Sequence, residues 1–198
     1  MPDEKRPYRM SRRAEQQQRT RLRITESAAE LHEMLGPSRT SISAIAERAG
    51  VRRSTVYRHF PDEGALFLAC TSHWVASNPP PDLAAWAAIA DPDERTQTAL
   101  RELYGYYRRS EQMMEKVLRD EEVMPIVKQM YAGFREYLEH ARTTLMAGRG
   151  VRGHARRRVS AVLGHALGFA TWRSLTGEQR LDDSQASELM CRLVAAAP

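Results

Sequence analysis

Residues 42–60 read ISAIAERAGVRRSTVYRHF. Ile42, Ile45, Ala46 and Ala49 recur at helical spacing before Gly50, and Val56 and Phe60 lie one turn apart after it. Two short helices joined by a glycine-containing turn make a helix-turn-helix, whose second helix enters the major groove of DNA. With Val56 and Phe60 turned inward, the second helix presents Ser54, Tyr57 and Arg58 outward, flanked by Arg53, Thr55 and His59. That is a surface for DNA: arginine pairs bidentately with guanine O6 and N7, while hydroxyls and helix N-termini bind phosphate oxygens. Small residues at Ala46, Ala49 and Gly50 let the helices approach closely, as they would at any packed helical corner.

Working outward, residues 13–35 form a predicted first helix with Ile24, Ala28, Leu31 and Leu35 on one face, stopped by Gly36-Pro37. Ser41 is the expected N-cap of the second helix. After the third, Pro61-Asp62 opens a fourth over residues 64–77, with Leu66, Phe67, Cys70 and Trp74. Asn78-Pro79-Pro80-Pro81 is a stiff break. Asp91-Pro92 starts a helix through Leu100, Leu103, Tyr104 and Tyr107; Pro125 divides the next stretch, and periodicity resumes through Phe134, Tyr137 and Leu145. The basic loop AGRGVRG, residues 147–153, precedes two final helices expected at 155–176 and 184–196. No segment alternates as a strand does, so the expected class is all-α, with a boundary between residues 1–61 and 62–198.

Charge follows the same division. The chain of 198 residues has a net charge of +5, but residues 1–60 hold 13 Lys/Arg against 7 Asp/Glu and the remainder 17 against 18. A basic front end on a near-neutral body suggests that one part meets a polyanion and the other does something else. No apolar run approaches the roughly 18 residues of a membrane span, and residues 1–10 are charged, so a cytoplasmic protein with no membrane partner is expected. Cys70 and Cys191 lie far apart without metal-ligand spacing, and no metal or other cofactor is expected.

TSISAIAERAGVRRSTVYRHFPDEGALF, residues 40–67, resembles the N-terminal signature of TetR-family transcriptional repressors, a likeness extending back to Ile24. The resemblance implies a three-helix DNA-binding domain, a linking fourth helix, a helical ligand-binding domain and dimerisation through the last two helices. It places Ser41 and Ser43 toward the DNA backbone and makes Arg52, Arg53, Ser54, Thr55, Tyr57, Arg58 and His59 the DNA surface, with Thr55 and Tyr57 on phosphate. His32 and Glu63 depart from the family pattern, standing where a Phe and a phosphate-binding Lys are usual. The arginines between Lys5 and Arg23 offer either a minor-groove arm or a solvating tail.

In the body, SAVLGHALGFATWRSL, residues 160–175, is apolar almost all round and must be covered from more than one side. Val162, Gly164, Ala166 and Gly168, with Leu189 and Leu193 of the last helix, are the expected interface of a homodimer; an internal core helix is the other reading. Trp86, Tyr104, Tyr107, Met113, Met114, Val117, Met130, Phe134, His165 and Phe169 are candidates to line a cavity for a small apolar or amphipathic effector, or to be plain core.

The strings that suggest an enzyme fail on context. HEMLG, residues 32–36, has glycine where a zinc-protease helix needs its second histidine, and GRGVRG, residues 148–153, matches GxGxxG without a preceding strand. The sequence therefore reads as a DNA-binding transcriptional regulator without catalytic residues: a ligand-responsive repressor on a palindromic operator. An activator and an unregulated architectural protein are the other readings.

Overall fold

The computed structural model describes residues 5–197, with side chains from Arg12 onward, and no described residue is in a strand. Ten helices follow in order: α1 Lys5–Leu35, α2 Ile42–Arg48, α3 Arg53–His59, α4 Glu63–Ser77, α5 Leu83–Ala87, α6 Pro92–Asp120, α7 Pro125–Met146, α8 Gly153–Ala166, α9 Phe169–Arg173 and α10 Asp183–Ala195. A π turn, Ser174–Glu178, continues α9. From Lys5 the segment expected as an arm or a solvating tail is helical and continuous with the rest of α1; residues 1–4 lie outside the described residues.

Helix starts follow the capping chemistry of the sequence. Ser41 Oγ accepts the Ala44 N–H at 3.1 Å and Asp62 Oδ1 the Ala65 N–H at 2.7 Å. Asp91 Oδ1 takes the N–H groups of Asp93 and Glu94, and Asp182 forms a capping box with Gln185. The short α5, capped by Asp82, was not evident in the sequence.

The chain divides into two compact units. The first takes the described residues up to Asn78 together with Glu115–Met130; the second takes Pro79–Met114 and the chain from Tyr131. The division expected between residues 61 and 62 is thus corrected: α4 and the connection between α6 and α7 belong with the helix-turn-helix. The core of the first unit explains why. Ile24, Ala28 and Leu31 of α1, Ile42, Ile45 and Ala46 of α2 and Val56 of α3 are buried with Leu66, Phe67 and Cys70 of α4, and Val127 completes the cluster. Leu66, Phe67 and Cys70 of α4 and Val127 thus add to the apolar surface that the first three helices bury.

In the second unit, Tyr104 and Tyr107 of α6 are fully buried with Trp86 and Trp172. The continuous helix expected at 155–176 is broken. Gly168 is extended, at ψ 134°, and α9 starts after it. Carbonyls freed near that break are satisfied by tyrosine hydroxyls: Tyr104 Oη donates to Ala166 O at 2.9 Å and Tyr107 Oη to Leu167 O at 2.6 Å. Buried Arg95 closes the other end of the unit, donating to the carbonyls of Ile89, Ala90, Thr144 and Ala147. A cation at the C-terminal end of α7 also meets the negative end of its dipole.

Candidate nucleic-acid interface

Gly50 takes φ +62°, and the turn closes with Val51 N–H on the Ala46 carbonyl at 2.9 Å. A side chain disfavours that backbone conformation, so glycine here sets the angle between α2 and α3. Val56 and Phe60 are each 1% exposed and fix the inward face of α3. Arg52, Arg53, Ser54, Tyr57 and Arg58 are then exposed, with Thr55 and His59 half-buried beside them. Ser41 and Ser43 are exposed at the start of α2. All nine residues expected at a DNA surface thus lie in the first unit, on the outward sides of α2 and α3 and at their starts.

Charge at this surface is unspent. Among the described residues, Arg52, Arg53 and Arg58 form no ion pair, whereas Arg48 on α2 is held by Glu30 at 2.6 Å. The Arg53 guanidinium donates to Tyr57 Oη at 3.2 Å and lies 5.6 Å from that ring's centroid, so the two side chains form one exposed group. Partial burial, then the charges of Arg58 and Arg21, hold the His59 imidazole below its ordinary pKa. In its neutral form it can donate a hydrogen bond without adding charge.

Arg21 is a residue the sequence reading missed. From α1 it donates to the His59 carbonyl at 2.5 Å, and its guanidinium lies 4.1 Å over the Phe60 ring. It therefore caps the C-terminal end of α3 and packs against the residue that anchors that end. No local pattern marks it, because its partners are 38 and 39 residues away. The two departures from the family pattern also find places. Glu63 is in the first turn of α4, where an acid favours the helix dipole. His32 is buried, its ring lies 5.2 Å from that of Phe67 at a tilt of 41°, and its Nδ1 is 3.4 Å from Cys70 Sγ; burial pushes its pKa down to about 4, against the opposing charge of Asp120.

The candidate effector residues separate. Tyr107, Phe134 and Phe169 belong to one aromatic cluster, with Tyr107 5.3 Å from Phe169 and 6.3 Å from Phe134; Tyr104 stacks on Tyr107 at 6.4 Å. Trp86, Met113 and Met114 are buried in the same unit. Tyr106, Tyr137 and Trp172 join the cluster and were not among the candidates. Val117 and Met130 are corrections: both pack against the core of the first unit. His165 is another, since it is exposed on α8 and its ring meets Thr171.

Of the interface candidates, Leu189 and Leu193 are 39% and 46% exposed on α10, and Gly164 is exposed on α8. Val162 is half-buried. Ala166 is fully buried within the protomer, a correction to its place in the interface. Gly168 does not continue the Gly164 stripe, because the helix ends before it.

Residues 24–70 match the family described as bacterial regulatory proteins, tetR family. Over 59 residues the chain is 42% identical to the HTH-type transcriptional regulator AcrR of Shigella flexneri, a match covering 29% of this chain and 27% of that protein. The chain thus spans about a quarter of the length of the curated relative it matches. A TetR-like transcriptional regulator from Rhodococcus sp. RHA1 shares the fold with a TM-score of 0.65 at 17% identity, over 89% of this chain and 93% of that one. So does the transcriptional regulator FadR from Bacillus subtilis, solved in complex with stearoyl-CoA, with a TM-score of 0.62 at 15% identity over 89% and 98% of the two chains.

Proposed function

We propose that this chain of the TetR family is a sequence-specific repressor that binds a palindromic operator as a dimer and is released by a small apolar or amphipathic ligand. One observation carries the DNA reading: α3 and the residues flanking it bury Val56 and Phe60 while exposing Arg52, Arg53 and Arg58, which form no ion pair among the described residues. Guanidinium groups without carboxylate partners keep their full attraction for phosphate and for guanine edges. Arg53 and Arg58 enter the major groove, Thr55 and Tyr57 hold phosphates, and Ser41 and Ser43 fix the register from α2. Two copies of α3 lie about 34–36 Å apart, one helical turn of DNA.

The effector reading rests on the aromatic cluster of the second unit. Tyr104, Tyr107, Phe134 and Phe169 supply flat apolar surface, and Met113 and Met114 adaptable surface beside it. That FadR was solved with stearoyl-CoA supports a ligand with a long apolar part. Helix α6 runs from the second unit into the first, giving a ligand a covalent route to the DNA-binding unit. Its effect is bounded by its differential affinity for the two conformations, typically about 1–3 kcal/mol. Dimerisation is assigned to exposed Leu189 and Leu193 with Val162 and Gly164.

Selection of duplexes from a random library by the purified chain tests this reading. A recovered inverted repeat whose half-sites are centred one helical turn apart is expected. Recovery of no preferred sequence would leave an architectural protein instead.

A further inference from the structure

The loop and first turns of α8 carry Arg149, Arg152, Arg156, Arg157 and Arg158, and no acidic residue occurs from His140 to Gly177. Glycines at 148, 150 and 153 all take positive φ, at 77°, 66° and 57°, so this GxGxxG string serves to turn the chain between α7 and α8. The turn sorts the arginines. Arg149 points inward, donating to the carbonyls of Leu145 and Pro92 and pairing with Asp93 at 2.9 Å. Arg152, Arg156, Arg157 and Arg158 are exposed, and among the described residues none forms an ion pair. Arg157 meets only the His154 ring, at 2.9 Å from Nδ1, and Arg158 donates through Nε to the Ala197 carbonyl.

This arrangement opposes the stability of α8. Cations at a helix start repel the positive end of its dipole, and Arg152 at the N-cap makes no side-chain capping bond. A sequence that breaks local rules this way at one place calls for a compensating partner. We propose that Arg152, Arg156, Arg157 and Arg158 form a second DNA contact, one that holds the phosphate backbone of a duplex without reading its sequence. The inference rests on the reading of the chain as a DNA-binding regulator.

Two features select duplex DNA over other anions. The segment from His140 to Gly177 carries cations and no acidic residue, which suits a polyanion bound by counterion release. Residues 148–160 also hold no exposed large apolar side chain, so this segment itself supplies neither the anchor of a protein interface nor the wedge of a membrane-binding helix. Sequence-independent contact of this kind lets a bound regulator hold neighbouring or distant duplex.

Fluorescence anisotropy of a labelled random-sequence duplex, titrated with the whole chain over a range of salt, tests the assignment. The variants are Arg152→Gln/Arg156→Gln/Arg157→Gln together, and separately Arg53→Ala/Arg58→Ala. The first should lower random-duplex affinity at least about tenfold at ~0.1 M salt and reduce the slope of log K against log salt by about 2–3, one phosphate contact per lost arginine. The second should lose operator preference yet keep salt-dependent binding to random duplex. Wild-type affinity and slope in the triple variant would overturn the proposal, as would tighter binding of this face to polyglutamate or to anionic vesicles than to duplex. Retained operator preference in the Arg53/Arg58 variant would count against the operator reading and not against the second contact.

Discussion

Asp120, at the last position of α6, accepts the backbone N–H of Ser38 at 2.9 Å within the first unit. Its neighbour Arg119 donates to the same carboxylate and to the Leu35 carbonyl at 3.0 Å. The two residues thereby bind the end of α6 to the connection between α1 and α2. Burial would raise the Asp120 pKa, but hydrogen bonds from Arg119 and Ser38 outweigh it and hold the carboxyl below its ordinary range. Gly36 lies beneath this pair at φ +94°, where an added Cβ would overlap Arg119 Nη2 and Asp120 Oδ2.

Asp120→Asn should therefore lower stability by about 1.5–3 kcal/mol, the usual worth of hydrogen bonds to a charged group. Gly36→Ala should also destabilise, through its left-handed backbone and the displaced carboxylate. Urea denaturation of each variant measures both. Unchanged midpoints would mean that the contact contributes nothing to the fold.

His32 gives the first unit a pH dependence. Its folded pKa of about 4 lies below the ordinary 6.5, so the unfolded chain takes up the proton first. The stability is fully present above pH 6.5 and is lost as pH falls toward 4, by about 2 kcal/mol at pH 5 and about 3 kcal/mol at pH 4. His32→Phe removes the titrating group and should flatten that part of the curve. Denaturation midpoints of the two proteins between pH 7 and pH 4 decide it; parallel curves would assign the loss to other groups.

The helix-turn-helix was legible because its signals are local. The glycine at the turn, the caps at Ser41 and Asp62 and the spacing of Val56 and Phe60 all act within a few residues. What escaped the sequence depends on distant partners. Arg21 reaches His59, Asp120 reaches Ser38, and Val117 and Met130 pack against a core whose buried members, Val127 apart, all precede residue 71. The break before Gly168 escaped for the same reason: a run of apolar residues favours a continuous helix until Tyr104 and Tyr107, 62 and 60 residues before their acceptors, supply donors for the freed carbonyls.

Arg58 and Tyr57 should be separable on DNA. Arg58→Ala should cost about 1–3 kcal/mol on the operator and relax preference at one base position, as loss of a base contact does. Tyr57→Phe keeps the ring under Arg53 and removes only the hydroxyl, so it should weaken operator and random duplex alike. Competition binding with single-base operator variants reads the difference. Equal losses on operator and random DNA for Arg58→Ala would reassign that arginine to phosphate.

Assembly can be tested on α10. Leu189 and Leu193 lie one turn apart with 39% and 46% of their surface exposed, while Ala186, Met190 and Val194 of the same helix face the protomer core. Exposed leucines at that spacing form a stripe that a two-fold partner can cover, and a two-fold axis is what a palindromic operator requires. Gly164 offers a place for close approach on α8, its nearest neighbour to an added Cβ being Arg142 Cδ at 3.5 Å. Leu189→Glu with Leu193→Glu places like charges on both sides of such an interface without disturbing the buried face. The double variant should sediment as a monomer at micromolar concentration, keep its helical circular dichroism and lose operator affinity by at least about tenfold, since each half-site is then bound alone. A monomeric wild type, or a double variant that still sediments as a dimer, would remove this stripe from the interface.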